Sequence, residues 1–406
     1  MTKDIAIADE VPFLGADWFD ALEAGVRQHI RGFIESMLEA ELTGALGRGR
    51  YDRSGEAVGH RNGHRDRQLL GTFGPMRVSV PRARLNGSDG QQAEWRSKAL
   101  PAYKRLTVQA ERLIAGAYLA GTNTRRVRRA LAALFGGAVG KDTVSRTWHK
   151  VQSDWEAWQK RDLAGDDIVR LILDGTVVRV RLDRKATSLS VLVALGVRRD
   201  GQKVLLALRN MGGESEAAWR ELLDDLVARG LPAPELVIVD GASGLDKAIA
   251  ALWNDVPVQR CTVHKHRNLL AHAPKKLYDA ISADYADMIY ANTAQEVEAK
   301  RSAFLRKWRL RCRPVADSLE EAGDKLFTFL RFPSDQWKSI RTTNAIERLH
   351  EEFKRRIKTQ CMLPCAQTAC MLFWALLASG QITLRKVDGW KTLHVAPAEQ
   401  ILELVA

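Results

Sequence analysis

Two short apolar runs, each ending in an aspartate, constrain this chain more than any other feature. Residues 171–173 (LIL) lead into Asp174 inside the longer stretch IVRLILDGTVVRVRL, and residues 235–239 (ELVIV) lead into Asp240. The first stretch has the β-branched composition of a strand. The second is apolar throughout and too short for a helix, which suits a strand buried on both faces in parallel pairing. Residues 188–198 and 203–209 are two further β-rich runs set off by polar turns. A helix opens at Glu214 with Trp219, Leu222, Leu223 and Leu226 on one face, and residues 244–253 form another before a short strand at 256–260.

Three antiparallel strands followed by helix, strand, helix and strand is the order expected of an α/β ribonuclease-H-like fold. Residues 266–335 interrupt it with helical, mixed-charge sequence in which Trp308 and Leu310 carry apolar faces beside a basic run from Lys300 to Arg313. A late helix follows at 343–358, with Ile346, Leu349, Phe353 and Ile357 as its buried stripe. The catalytic domain is therefore expected over 166–265 and 336–406, with an all-helical insertion at 266–335.

A chain of 406 residues exceeds one ordinary core, so further domains precede this one. Residues 16–46 read as an amphipathic helix, with Phe19, Leu22, Val26, Ile30, Phe33, Ile34, Met37 and Leu38 near helical spacing. A Gly/Arg-rich stretch, YDRSGEAVGHRNGHRDR, follows on what reads as irregular backbone, and 76–81 alternates like a short strand. Thirteen lysines and arginines face five acids between Arg48 and Arg105, a density that suits phosphate contact as well as it suits a solvated linker. Helices at 106–119, 124–135 and 142–159, the last two joined through Gly136–Gly137, fit a helix-turn-helix. The expectation is mainly α DNA-binding N-terminal domains, one over 1–105 and one over 106–165. Arg61, Arg65, Arg125, Arg126, Arg128, Arg129, Lys141 and Arg146 are its candidate DNA contacts, with Lys354 and Arg355 on the late helix.

Breaking a phosphodiester at neutral pH needs an activated oxygen nucleophile and a stabilised leaving oxygen. Two Mg²⁺ ions about 3.5–4 Å apart supply both, and hard ions take carboxylate oxygens. Asp174 and Asp240 each follow a buried strand, and Glu347 on the late helix is the third acid in order; these three are the candidate catalytic and metal-binding residues. Each has a plain alternative. Asp174–Gly175 and Asp240–Gly241 are turn pairs, and Glu347 stands three residues after Asn344 as in a capping box. Asp183 and Asp246 are ranked as surface acids.

The segments LILDGTVVRVRL, ELVIVDGASGLDKAI, QRCTVHKHRNLL and IRTTNAIERLHEEFKRRIK together resemble the Mutator-type transposases, in their bacterial insertion-sequence branch. The resemblance covers about residues 50 to 360 and is most specific in VDGASGL and TTNAIERLHEEFKRR. It implies a ribonuclease-H-like catalytic domain, Mg²⁺ or Mn²⁺ as two ions, and an Asp-Asp-Glu triad falling on Asp174, Asp240 and Glu347. It also implies DNA partners, both terminal inverted repeats and target, and a protein working on the nucleoid. The first motif departs from the family, which usually has alanine where Gly175 stands. Cys261 and His264 resemble the family's Cys-x-x-His pair. They read as support for the active centre, or as half of a zinc site helped by His266, Cys361 and Cys365. Arg260, Lys265 and Arg267 stand ready to grip backbone phosphates or to be solvated.

A formal charge of +13 agrees with a polyanionic partner. The five cysteines form no disulfide frame, the opening MTKDIAIADEVPFLG has no secretory pattern, and the apolar stretch at 371–380 is too short to span a bilayer. The chain is expected to be cytoplasmic, away from membranes, and a homodimer or larger assembly. Rival readings are a ribonuclease-H-like nuclease or resolvase, limited to hydrolysis, and a non-catalytic DNA-binding descendant of a transposase.

Overall fold

The computed structural model describes residues 21–52, 58–87, 91–119, 127, 131, 141–182, 185–211, 213–357 and 366–398. The chain divides into two compact units, Met1–Val151 and Gln152–Ala406.

In the first unit, helix α1 (Ala21–Leu46) packs on a three-stranded antiparallel sheet of β1 (Gly59–Gly71), β2 (Gly74–Asn86) and β3 (Gln92–Glu94). The Gly/Arg-rich stretch is thus largely strand rather than irregular backbone, and the N-terminal half is a mixture of helix and sheet rather than mainly α. Pairing with β2 supplies the hydrogen bonds that the polar β1 sequence could not advertise by alternation. Gly63, at φ +70°, sits where the β1–β2 register shifts, so the glycine serves a bulge. The buried face of α1 is Leu38, Leu42 and Leu46, whereas Val26, Phe33 and Met37, expected inside, are exposed. Carboxylates tie the helix to the sheet: Glu35 accepts from the Ser79 amide at 2.8 Å, and Glu39 accepts from Arg61 at 2.6 Å. Helices α2 (Val108–Leu119) and α3 (Lys141–Gln159) follow, and Ala110, Ile114, Val127, Leu131 and Val144 share one buried cluster. The rest of the expected helix-turn-helix, with Arg125, Arg126, Arg128 and Arg129, lies outside the described residues.

The second unit is built on a five-stranded sheet in the order β6-β5-β4-β7-β8. Strands β4 (Ile168–Leu182), β5 (Lys185–Arg198) and β6 (Lys203–Met211) form an antiparallel meander. Strand β7 (Leu236–Val239) joins β4 in parallel, and β8 (Val258–Arg260) joins β7 in parallel. Helices α4 (Glu216–Ala228) and α5 (Ser243–Leu252) cover one face. There Leu171, Leu173, Val237 and Val239 share a core with Trp219, Leu222, Leu223, Leu226, Leu245 and Ile249. Ser215 caps α4, accepting from the Ala218 amide at 3.2 Å.

The opposite face carries buried polar groups that need partners. Arg170 donates to Gln336 and Ser339, and Gln259 donates to the Leu326 carbonyl at 2.8 Å while accepting from the Phe329 amide at 2.7 Å. Helix α6 (Thr262–Ala271) leads into α7 (Tyr278–Ile289), α8 (Ala294–Arg311) and α9 (Arg313–Ala322), packed around Tyr285, Val297, Phe304 and Trp308. Leu310 does not join that core; it is exposed. After the short α10 (Trp337–Ile340), helix α11 (Asn344–Ile357) returns to the sheet and packs on β4 with Ile346, Leu349 and Phe353 buried. Phe353 stacks on Phe373 of α12 (Ala366–Ala378) at 4.5 Å. Among the described residues no helix is long and apolar enough to cross a membrane.

Candidate active site

Register decides where the two aspartates meet. The parallel ladder between β4 and β7 ends with Leu173 opposite Val239, so the next residues, Asp174 and Asp240, leave it side by side. Neighbouring strands run about 4.8 Å apart, and successive side chains alternate faces. Leu173 and Val239 point into the α4/α5 core. Asp174 therefore turns to the opposite face, where α11 lies. It is only 4% exposed, and its carboxyl is pushed up to about 7, first by burial and then by the charge of Asp240, with His264 and Thr343 pulling the other way. Asp240 is half-buried and accepts from the Ala242 amide at 2.9 Å, in a tight turn that carries the chain into α5.

Glu347 lies in the first turn of α11, just past the buried Thr343. Its carboxylate does not fold back to cap the helix. Oε1 accepts from Arg267 at 2.9 Å and lies 3.5 Å from His264 Nε2. His264, on α6, thus stands between the late helix and Asp174. A hydrogen bond with Cys261 and the charges of Cys261, Asp174 and Glu347 raise it to about 9 despite burial, which favours the imidazolium. Burial acts to raise the Cys261 thiol, but hydrogen bonds with His264 and Thr343 outweigh it and hold the thiol below its ordinary value. Thr343 ties this group together, its Oγ1 lying 3.6 Å from Cys261 Sγ and 3.5 Å from His264 Nδ1.

A fourth acid, Glu214, borders the site. A Cβ on Gly175 would come within 2.1 Å of Glu214 Oε1, so the glycine after Asp174 is what lets this carboxyl close on the strand. Burial and Asp240 raise the Glu214 carboxyl. In the sequence Glu214 reads only as the opening of a helix. The available signal was Gly175 itself, since glycine inside a strand often marks a close approach. Among the described residues no group of three or more His, Cys, Asp or Glu stands ready to hold a metal ion. The two aspartates are neighbours, and Glu347 is engaged by Arg267 and His264.

Residues 14–383 match the family described as Transposase, Mutator family. The chain is 31% identical over 352 residues to the transposase for insertion sequence element ISRM5 of Rhizobium meliloti, covering 87% of this chain and 86% of that protein. It is 32% identical over 341 residues to the transposase for IS905 of Lactococcus lactis, covering 83% and 84%. To the transposase for IS1081 of Mycobacterium tuberculosis it is 29% identical over 346 residues, covering 85% and 82%. The chain belongs to the Mutator family of transposases. It is accordingly an enzyme of DNA cleavage and strand transfer.

Several basic residues expected to touch DNA are placed otherwise in this transposase. Arg61 spends its guanidinium on Glu39 and Thr43, fixing strand to helix. Arg260 and Lys265 are buried and both donate to Glu321, at 2.9 and 2.8 Å, so they hold α9 rather than a phosphate. His350, one turn beyond Glu347 on the same helix, is buried against Phe373. Arg65, Arg146, Lys354 and Arg355 are exposed, Arg355 pairing with Glu352 at 2.7 Å. The side chain of Lys141, and Cys361 and Cys365 of the possible zinc site, lie outside the described residues. Asp183 does too, while Asp246 lies 3.6 Å from Lys325.

These environments set the stability of three variants. Gly241 has φ +95°, and a Cβ there would lie 2.5 Å from Arg260 Nε, so Gly241→Ala should cost about 1–3 kcal/mol in urea unfolding. Gly175→Ala should cost less than half of that, because only the flexible tip of Glu214 must swing aside. His350 is lowered to about 3, chiefly by burial. The unfolded chain therefore takes up a proton below about pH 6.5 that the folded chain refuses, and stability falls as pH drops from there toward 3. His350→Phe should remove that loss, gaining about 2 kcal/mol relative to wild type at pH 5 compared with pH 8.

Proposed function

We propose that this transposase performs its chemistry in a ribonuclease-H-like domain in which Asp174, Asp240 and Glu347 hold two Mg²⁺ or Mn²⁺ ions. The observation that carries the reading is the end of the β4–β7 ladder, which sets Asp174 and Asp240 abreast with α11 facing them. The strand order and the mix of antiparallel and parallel neighbours support the fold assignment. The donor set fits the ions in kind. Two crowded carboxylates, one pushed up to about 7 by burial and by the other's charge, are what a hard cation relieves. Glu347 completes the set by exchanging Arg267 and His264 for an ion. When bound, the ions activate the attacking oxygen and neutralise the departing one.

The remaining work belongs to the chain's own residues. In the first step water attacks the phosphodiester at the element end, the bond to the 3′ oxygen breaks, and a 3′-hydroxyl is left. In the second step that hydroxyl attacks a target phosphate in line and a target 3′ oxygen departs. His264, whose imidazolium is favoured beside Asp174, orients that acid and, once Glu347 has turned to an ion, offers positive charge to the phosphate. Arg267, once released from Glu347, offers a second guanidinium to the same backbone. Following what the family resemblance implies, terminal inverted repeats are the DNA proposed for the N-terminal unit, with a target duplex as second substrate. Two ends must be handled together, so a homodimer or larger assembly is proposed, for which the exposed Val26, Phe33 and Met37 of α1 offer an apolar strip.

The test is strand transfer with a pre-cut repeat-ended duplex and a plasmid target. Wild type with Mg²⁺ or Mn²⁺ should join the end to the plasmid, and Asp240→Asn should lower joining by at least about 1,000-fold, the scale of losing a group central to phosphoryl transfer. Cleavage without joining would mark a hydrolytic nuclease, and equal joining by Asp240→Asn would remove the catalytic assignment.

A further inference from the structure

The first unit holds a cleft of about 430 Å³ between β1 and the loop before α2, lined by Arg65, Arg67, Arg96 and Arg105 with Trp95 and Tyr103. Two acids also line it, Asp66 and Glu94, and Glu94 is already paired with Arg82 at 3.3 Å. Arg67 forms the floor. It donates to the carbonyls of Leu100, Pro101 and Lys104 at 3.1, 3.0 and 2.8 Å, fixing the loop that makes the far wall. Burial, and then the charges of Arg65 and Arg105, hold Arg67 below the ordinary arginine value, which shows how closely the guanidiniums crowd. The guanidiniums of Arg65, Arg96 and Arg105 have no hydrogen-bond or ion-pair partner among the described residues.

The loop displays an aromatic ring at a backbone cost. The Lys104 amide donates to the Pro101 carbonyl at 3.2 Å, which makes 101–104 a tight turn, and Tyr103 takes its third position with φ +67°. That position favours glycine, and a bulky residue there is an outlier. Among the described residues its side chain gains no packing that would compensate: Tyr103 is 94% exposed. An exposed ring lining the same cleft as guanidiniums without partners among the described residues is the combination by which proteins grip a single strand, base on aromatic face and phosphates on cations. Duplex bases are stacked on one another and offer such a ring no face. The volume lies within the roughly 300–1,000 Å³ range of sites for small molecules, enough for one nucleotide.

We propose that this cleft binds single-stranded DNA, with a base stacked on Tyr103 and the flanking phosphates on Arg65, Arg96 and Arg105. The inference rests on the reading of the chain as a DNA-cutting transposase, in which strands are parted at a cleaved end. It adds a site for the parted strand outside the acid cluster.

The full-length protein is titrated by fluorescence anisotropy into a labelled oligothymidylate of about 12 nucleotides and, separately, a blunt duplex of equal length. Tyr103→Gly removes the ring and suits the turn, so it does not compromise folding; it should weaken single-strand binding about tenfold and leave duplex binding unchanged. Tyr103→Phe should restore the single-strand affinity. Arg65→Gln with Arg105→Gln should flatten the salt dependence of single-strand binding by about 1.4 in log–log slope, two phosphates' worth. Single-strand binding that survives Tyr103→Gly, or a loss shared equally by the duplex, would overturn the cleft assignment while leaving the transposase reading intact. Failure of wild type to bind the single strand at all would likewise overturn the cleft assignment and leave the transposase reading intact.

Discussion

Two carboxylates forced side by side at the end of one parallel ladder are the constraint on which the rest of the second unit turns. Like charges in a buried setting repel, and neither acid can move away without breaking the pairing of Leu173 with Val239. The core beneath them holds that pairing. Leu171, Leu173, Val237 and Val239 are fully buried against α4 and α5, so shifting either strand by one residue would turn its apolar set out of the core. The fold thus keeps a locally unfavourable charge arrangement by making any escape from it more costly. Such stored repulsion is common at sites that take a cation or a proton.

The other side of the site meets that repulsion with a hydrogen-bonded cluster. Cys261 closes β8, His264 begins α6 and Thr343 precedes α11, so three elements from distant parts of the sequence converge on one imidazole. The helical segment between His264 and Thr343 is bonded back to the sheet by Gln259 and Arg260, and Lys265 of α6 joins the same Glu321 that Arg260 holds. Side chains that looked like phosphate contacts are therefore struts that let α11 return to β4. Arg267, exposed and bonded to Glu347, is the exception among them.

How much of this could be read in the sequence follows from how local each feature is. Periodicity and apolar runs mark the five strands of the second unit and the stripe of α11, and the Mutator resemblance was borne out by the match over residues 14–383. Partners set by distant pairing were not legible. β1 is too polar to announce itself as a strand, and it is one because β2 pairs with it along its length. Arg61, Arg260 and Lys265 carry the same charge as true DNA contacts, and only the positions of Glu39 and Glu321 distinguish them. Exposed Phe33 and Leu310 follow helical spacing yet lie off the packed face, because a helix buries the side its neighbours cover. Glu214 reaches the site only through the space left by Gly175, a relation between residues nearly forty positions apart.

Divalent-ion binding to the acid cluster tests the central claim most directly, since it requires no knowledge of the DNA sites. Mn²⁺ titrated into the DNA-free, full-length protein and followed by electron paramagnetic resonance should show saturable binding in wild type. Asp174→Asn should lose that binding, and Glu347→Gln should weaken it. Mn²⁺ affinity and stoichiometry unchanged in Asp174→Asn would contradict the account, because the aspartate placed beside Asp240 by the β4–β7 ladder would then hold no ion.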